Sequence, residues 1–167
     1  MSMKDSDIKR TLHQLEKVWP RVTGKDLPPE GPPPKEDASG ALAEMIGEEA
    51  AAERRYLCMA QRALGANADT LRRLAAGSRG LARKLQTEYY LRTGDSLPMP
   101  GRGRENCRLL GETLRLAWVS AGSAERAYHA ASAQTDDPGL RELFREAAEL
   151  KRTQRRILRD LAGRLMR

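Results

Sequence analysis

The chain has 167 residues and a formal net charge of +7, and its isoelectric point is near 9.8. This length is typical of one domain and is long enough to bury a core without covalent staples. Aromatic residues make up only 4% of the chain, which is rich in the strong helix formers Ala, Leu, Arg and Glu, so the composition favours an all-α fold. No apolar run approaches the roughly 18 residues of a membrane span. The two cysteines, Cys58 and Cys107, form neither a disulfide framework nor a CxxC metal motif, and we therefore expect a cytoplasmic protein without a membrane span.

Residues 1–36 differ in composition from the rest of the chain. An amphipathic stretch from Ile8 to Trp19 predicts two or three helical turns, and a proline-rich segment, 25–34, follows it. Proline lacks the amide donor and disfavours helical geometry in the preceding residue, so this segment predicts an extended arm. The remainder, residues 37–167, is the predicted helical domain.

Four blocks in this domain have apolar residues at spacings of three and four, which indicates amphipathic helices. Asn67 or Asp69 is a candidate cap for the second block, and Asp137 before Pro138 is a candidate cap for the fourth. The blocks cover about 38–64, 68–93, 104–133 and the region from 137 onward. One apolar stripe on each block predicts a four-helix bundle.

The connections between the blocks predict the topology of the bundle. About three residues join blocks one and two, and about three join blocks three and four, so each pair should be an antiparallel hairpin. The connection 94–103 contains prolines and glycines, and about ten extended residues reach about 33–36 Å. A helix of about 26 residues is about 39 Å long. This connection therefore predicts one long crossover that makes helices two and three parallel.

Three segments carry a resemblance to a known family: 43–56, 71–94 and 135–144. In order and spacing they resemble small bacterial ferritin-like proteins of the rubrerythrin type, over about residues 38–166. The resemblance implies a ferritin-like four-helix bundle. In that family, one Glu from each of helices one and three and a Glu-x-x-His pair from each of helices two and four hold two metal ions.

This chain departs from the family pattern at most of the six ligand positions. Glu49, seven residues before Tyr56, matches the glutamate of helix one, and the other five positions hold residues that are not family ligands. The chain has two histidines, His13 and His129, and neither has a Glu three residues earlier. The resemblance therefore implies a degenerate member without a cofactor, whose vestigial ligand positions are Glu49, Ser78, Leu81, Ala121, Lys151 and Gln154.

Lys151 suggests how a buried Glu49 is neutralised. A lone carboxylate inside a bundle is costly unless it is paired. We therefore hypothesise that Lys151 faces Glu49, with Ser78 and Gln154 completing a polar cluster. In the alternative interpretation, both charged side chains extend to water. Tyr56, Tyr89, Tyr128 and Trp118 are interpreted as packing residues, and the two cysteines as small buried fillers.

The sequence thus predicts a non-catalytic ferritin-like protein that serves as a binding or structural module for an unknown protein partner, with a homodimer as one possibility. One alternative is an iron- or manganese-dependent oxidoreductase with a cryptic site built from Glu49, Glu53, Glu125 and His129. A second alternative is non-specific nucleic-acid association through basic stripes on helices two and four. These stripes comprise Arg72, Arg73, Arg79, Arg83, Lys84, Arg152, Arg155, Arg156 and Arg159.

Overall fold

The computed structural model describes residues 36–98, 107 and 109–165. All regular secondary structure in these ranges is helical, which confirms the prediction of an all-α four-helix protein. The helices are α1 (Glu36–Ala60), α2 (Gly65–Thr93), α3 (Leu110–Gln134) and α4 (Pro138–Leu165). The predicted N-terminal arm, apart from Glu36, and residues 99–106 and 108 of the long connection lie outside the described residues. None of the helices described is both long and apolar enough to cross a membrane.

The ends of α2 and α4 have clear local causes. Gly94 has a φ of 75° and its N–H donates to the carbonyl of Tyr90, which ends α2 in the left-handed conformation that glycine adopts without strain. Asp137 caps α4 as predicted, because its Oδ1 accepts a hydrogen bond from the N–H of Leu140 at 3.0 Å. The predicted cap of the second block, Asn67 or Asp69, is wrong. α2 begins at Gly65, so Asn67 and Asp69 lie inside the helix and cannot occupy the cap position.

Two helix boundaries differ from the sequence prediction. α1 ends at Ala60 and a short turn follows, in which the N–H of Ala63 donates to the carbonyl of Met59. Leu64 matched the apolar period of the first block, but its side chain is 86% exposed. α3 begins at Leu110, about six residues later than predicted. The spacing of apolar residues continues through any residue of suitable polarity beyond the end of a helix. A prediction from spacing alone therefore makes helices too long.

The two hairpins, α1–α2 and α3–α4, pack side by side, with α1 against α3 and α2 against α4. Pairs between α2 and α4 run in opposite sequence order, because Lys84 contacts Glu146 and Arg92 contacts Asp137. These two helices are therefore antiparallel.

The contacts between α1 and α3 show the same order. Arg55 donates to Ser120 and the hydroxyl of Tyr128 donates to Glu49, so a later residue of α1 meets an earlier residue of α3. Each helix is thus antiparallel to both of its neighbours, and the diagonal helices α2 and α3 point in the same direction.

The buried core consists of two apolar clusters. One is built around Tyr56, Leu71, Leu114 and Leu158, and the other around Leu42, Leu85, Tyr128 and Phe144. In α1, α2 and α4 the buried polar residues fall between the positions that form the two clusters. The bundle therefore has an apolar core at each end and a polar layer between them.

Cys58 and Cys107 form a disulfide, with their Cα atoms 6.1 Å apart. The interpretation of both cysteines as unpaired fillers is therefore wrong. The bond joins α1 to the segment that precedes α3, and these positions are 49 residues apart in sequence. Disulfides persist mainly in oxidising compartments. The cysteine argument for a cytoplasmic protein therefore no longer holds, and that location stays a prediction.

Candidate functional site

The six vestigial ligand positions all lie inside the bundle. Each is at most 5% exposed, although two are charged and two are polar. They come from all four helices: Glu49 from α1, Ser78 and Leu81 from α2, Ala121 from α3, and Lys151 and Gln154 from α4. The register taken from the resemblance therefore selects interior positions on every helix.

Lys151 and Glu49 form a buried ion pair at the centre of this layer. The Nζ of Lys151 lies 2.5 Å from Oε2 of Glu49, and the two side chains are 2% and 1% exposed. The hypothesis that these residues pair is confirmed. The alternative, in which both extend to water, is wrong.

Ser78 and Gln154 complete the surroundings of the lysine. Besides Glu49, the Nζ of Lys151 donates to Oε1 of Gln154 at 3.1 Å and to Oγ of Ser78 at 3.4 Å. A lysine ammonium has three N–H donors, and all three have an acceptor here. The amide of Gln154 donates in turn to Ser78 and to the carbonyl of Leu74. The cluster is therefore internally satisfied, which makes the burial of its two charges tolerable.

Two tyrosines that the sequence analysis treated as packing residues belong to this layer. The hydroxyl of Tyr128 donates to Oε1 of Glu49 at 3.0 Å, and that of Tyr56 donates to Oε1 of Gln154 at 3.4 Å. Both hydroxyls are buried. The seven-residue spacing from Glu49 to Tyr56 and from Ala121 to Tyr128 is the only sequence signal that marks them.

The pKa values of the layer follow from burial and from Glu49. Burial raises the pKa of Tyr128 and of Tyr56 far above the ordinary value for tyrosine, and the negative charge of Glu49 raises both further. Burial lowers the pKa of Lys151, and the attraction of Glu49 offsets part of that change. The tyrosines therefore stay protonated and serve as hydrogen-bond donors.

The donor set does not fit a di-metal centre. Two hard cations need several carboxylates and imidazoles to neutralise and coordinate them. Here Glu49 is the only carboxylate among the six positions, and it is already paired with an ammonium. Leu81 and Ala121 offer no donor atom. Within the residues that the structure describes, no group of three or more His, Cys, Asp or Glu side chains is placed to hold a metal ion.

A second charged cluster lies on the outside of the bundle between α3 and α4. Glu125 accepts hydrogen bonds from Arg152 at 3.0 Å and from Arg155 at 3.3 Å. His129 lies 3.4 Å from Arg152, and the guanidinium of Arg155 stacks over Trp118 at 4.6 Å. Burial raises the pKa of Glu125, but the bonds and charges of the two arginines outweigh it and hold that pKa below its usual value. Trp118 is 37% exposed, so it packs against Arg155 rather than in the core.

The three carboxylates of the cryptic metal site have separate partners. Glu49 pairs with Lys151, Glu53 pairs with Arg79 of α2, and Glu125 pairs with the two arginines of α4. These carboxylates therefore serve three different contacts between helices. The structure does not gather them with His129 around one point.

Several cations of the basic stripes are likewise paired with acidic side chains. The pairs are Arg72–Asp69, Arg79–Glu53, Lys84–Glu146, Arg152–Glu125, Arg152–Glu149, Arg155–Glu125 and Arg159–Asp160. A phosphate would have to compete with these carboxylates, and this reduces the attraction that the sequence count of arginines implies.

The fold and the site together define an all-α four-helix bundle with a buried, hydrogen-bonded ion pair in its core. No family model, curated protein or solved structure matches this chain.

Proposed function

We propose that this protein is a non-catalytic member of the ferritin-like superfamily that has lost its di-metal site and acts as a binding or structural module. The observation that carries the proposal is the Lys151 ammonium, which contacts Glu49 at the centre of the bundle. A side-chain cation fills the place that a bound cation takes in a metal-binding relative. The core then needs no metal to neutralise its carboxylate.

The helix directions support the ferritin-like part of the proposal. α2 and α3 point the same way, so the end of α2 and the start of α3 lie at opposite ends of the bundle, as the ferritin-like topology requires. The 16 residues between Thr93 and Leu110 reach at most about 53–58 Å when extended. α2 has 29 residues and is about 43 Å long, so a connection of 16 residues is long enough for the proposed single crossover.

The surroundings of the pair support a structural role for this layer. Its hydrogen bonds join α1, α2, α3 and α4 through Glu49, Ser78, Tyr128, Lys151 and Gln154. All of these side chains are buried, so a substrate has no direct access to them. In this proposal the polar layer fixes the relative positions of the helices, and binding takes place on the outer surface.

Metal content is the first test. Protein expressed without an affinity tag, with iron and manganese supplied, should contain less than about a tenth of an equivalent of either metal by mass spectrometry, against about two in an intact site of this type. About two equivalents in the wild-type protein would contradict the loss of the site and restore the oxidoreductase alternative.

A designed variant tests the ferritin-like register. Ser78→Glu/Lys151→Glu places carboxylates at two vestigial positions beside Glu49 and removes the ammonium. Mn²⁺ should raise the melting temperature of this variant, because binding to the folded state stabilises it, and should leave the wild type unchanged. The matched control adds Glu49→Gln and should respond less to Mn²⁺. A folded variant that does not respond to Mn²⁺ would show that the positions do not converge on a cation-sized space.

A further inference from the structure

The outer side of α3 carries a line of exposed residues that the core does not use. Leu109, Leu116 and Val119 are 58%, 60% and 48% exposed. They belong to a series with alternating spacings of three and four, all of it exposed, which we call the α3 seam: Leu109, Glu112, Leu116, Val119, Ser123, Arg126 and Ala130. This is the spacing of the contact positions in a two-helix coiled coil.

The seam is separate from the face of α3 that builds the core. The buried residues of that inner face include Leu114, Ala117, Ala121 and Tyr128. α3 is therefore apolar on two sides, and among the described residues only one of these sides is covered by the other helices. We propose that the α3 seam is the contact surface of a symmetric homodimer, in which α3 packs antiparallel against α3 of a second copy.

The arrangement of the seam matches a two-fold axis. In an antiparallel pair centred between Leu116 and Val119, each Leu116 meets the partner's Val119. The two central layers are then apolar, as in the middle of a stable helix pair. The flanking layers place Glu112 against the partner's Ser123.

The charges of the seam favour a second copy in this orientation. The side chain of Glu112 makes no hydrogen bond or ion pair with another described residue. Arg126 donates to Ser123 at 3.2 Å, which holds its guanidinium beside the hydroxyl that Glu112 would meet. In a parallel pair, Glu112 would face Glu112 and Arg126 would face Arg126, and like charges would repel. In the antiparallel pair, Arg126 lies about one helical turn from the Ser123 that meets the partner's Glu112, so opposite charges are neighbours at both ends.

Other strongly exposed leucines do not form such a line. Leu64 is 86% exposed in the turn between α1 and α2, and Leu91 is 70% exposed near the end of α2. The dimer contact is independent of the core layer and goes beyond the loss of the metal site. In this proposal, one partner of the protein is a second copy of the same chain.

Sedimentation equilibrium on the full chain tests the dimer. The wild type should have about twice the 18.6 kDa mass of one chain. Leu116→Glu should be monomeric with unchanged helix content by circular dichroism, because the side chain is mostly exposed in the monomer. Leu91→Glu is the matched control and should remain dimeric, because Leu91 is at least as exposed as Leu116 but lies off the seam.

Charge reversal tests the antiparallel register. Glu112→Arg and Arg126→Glu should each weaken the dimer by roughly tenfold in its dissociation constant, and the double swap should restore it. The two residues are 14 positions apart on one helix, about 21 Å, so they can compensate each other only between copies. A monomeric wild type, a dimer that survives Leu116→Glu, or a double swap that fails to restore binding would each overturn the proposal.

Discussion

The buried Glu49–Lys151 pair and the outer cluster of Glu125, Arg152 and Arg155 both bridge helices through acid–base contacts, but their surroundings differ. Both members of the first pair are at most 2% exposed, whereas Arg152 is 56% exposed. Water screens charges on the surface, and an exposed ion pair contributes about 0–1 kcal/mol. In the core there is no water to replace a lost partner. Similar distances therefore correspond to very different free energies.

The largest effect should follow from breaking the buried pair. Lys151→Met leaves Glu49 as an unpaired charge in the core and should reduce the free energy of unfolding by about 3–5 kcal/mol. Urea unfolding followed by circular dichroism measures this change. An unchanged stability would mean that the pair does not hold the core together.

A double variant sharpens the same measurement. In Glu49→Gln/Lys151→Met both charges are absent, and the glutamine oxygen can still accept the hydrogen bond of Tyr128. Most of the lost stability should therefore return, because replacing both members of a buried pair is often close to neutral. If the double variant is as unstable as Lys151→Met, the cost arises from packing at position 151 and not from the unpaired charge.

Removal of the disulfide that joins α1 to the segment before α3 should have the next largest effect. Cys58→Ala/Cys107→Ala removes the disulfide that ties α1 to the segment before α3, and should reduce the free energy of unfolding by roughly 2–4 kcal/mol, mainly by freeing the unfolded chain. Reduction of the wild type with dithiothreitol should give a similar loss. Equal stability of the oxidised wild type and the double variant would contradict this account.

The outer cluster should give the smallest effect. Arg152→Met removes one partner of Glu125 and should reduce the free energy of unfolding by far less than Lys151→Met, and less still at high salt, because the ion pair is exposed to water. The pKa of Glu125 is lower in the folded state, so its contribution is present above the ordinary carboxylate pKa and is lost as the pH falls through the folded value. The variant should therefore lose less stability than the wild type on acidification. If Arg152→Met reduces the free energy of unfolding as much as Lys151→Met does, the exposed cluster and the buried pair do not differ in their contribution to stability.

Much of the candidate site was accessible from the sequence because the ligand register could be carried over by spacing. The family pattern implied by the resemblance placed Ser78, Lys151 and Gln154 at ligand positions, and all three are buried. The need to neutralise a buried carboxylate then pointed to Lys151. The hydrogen bonds of Tyr56 and Tyr128 were missed, because a buried tyrosine in a helical stripe has the same sequence pattern whether or not its hydroxyl has a partner.

Other errors came from features that local patterns do not encode. The disulfide was missed because Cys58 and Cys107 are 49 residues apart and no local motif surrounds them. Trp118 was correctly assigned to packing, because it packs between helices under Arg155 of α4, but the sequence did not show that it remains partly exposed. The cap at Asp137 was correct because an N-cap is a local interaction within a few residues.

By itself, the sequence determined the all-α class, the four amphipathic segments and the absence of Glu-x-x-His pairs. These properties depend on composition and on spacing within a few residues. Only the tertiary structure decided that Lys151 contacts Glu49, 102 residues away, that Cys58 meets Cys107, and that one apolar side of α3 is not covered by the other described helices. Helical periodicity shows which face of a helix is apolar, but it does not show which other helix packs against that face. The packing partner depends on how all four helices pack together.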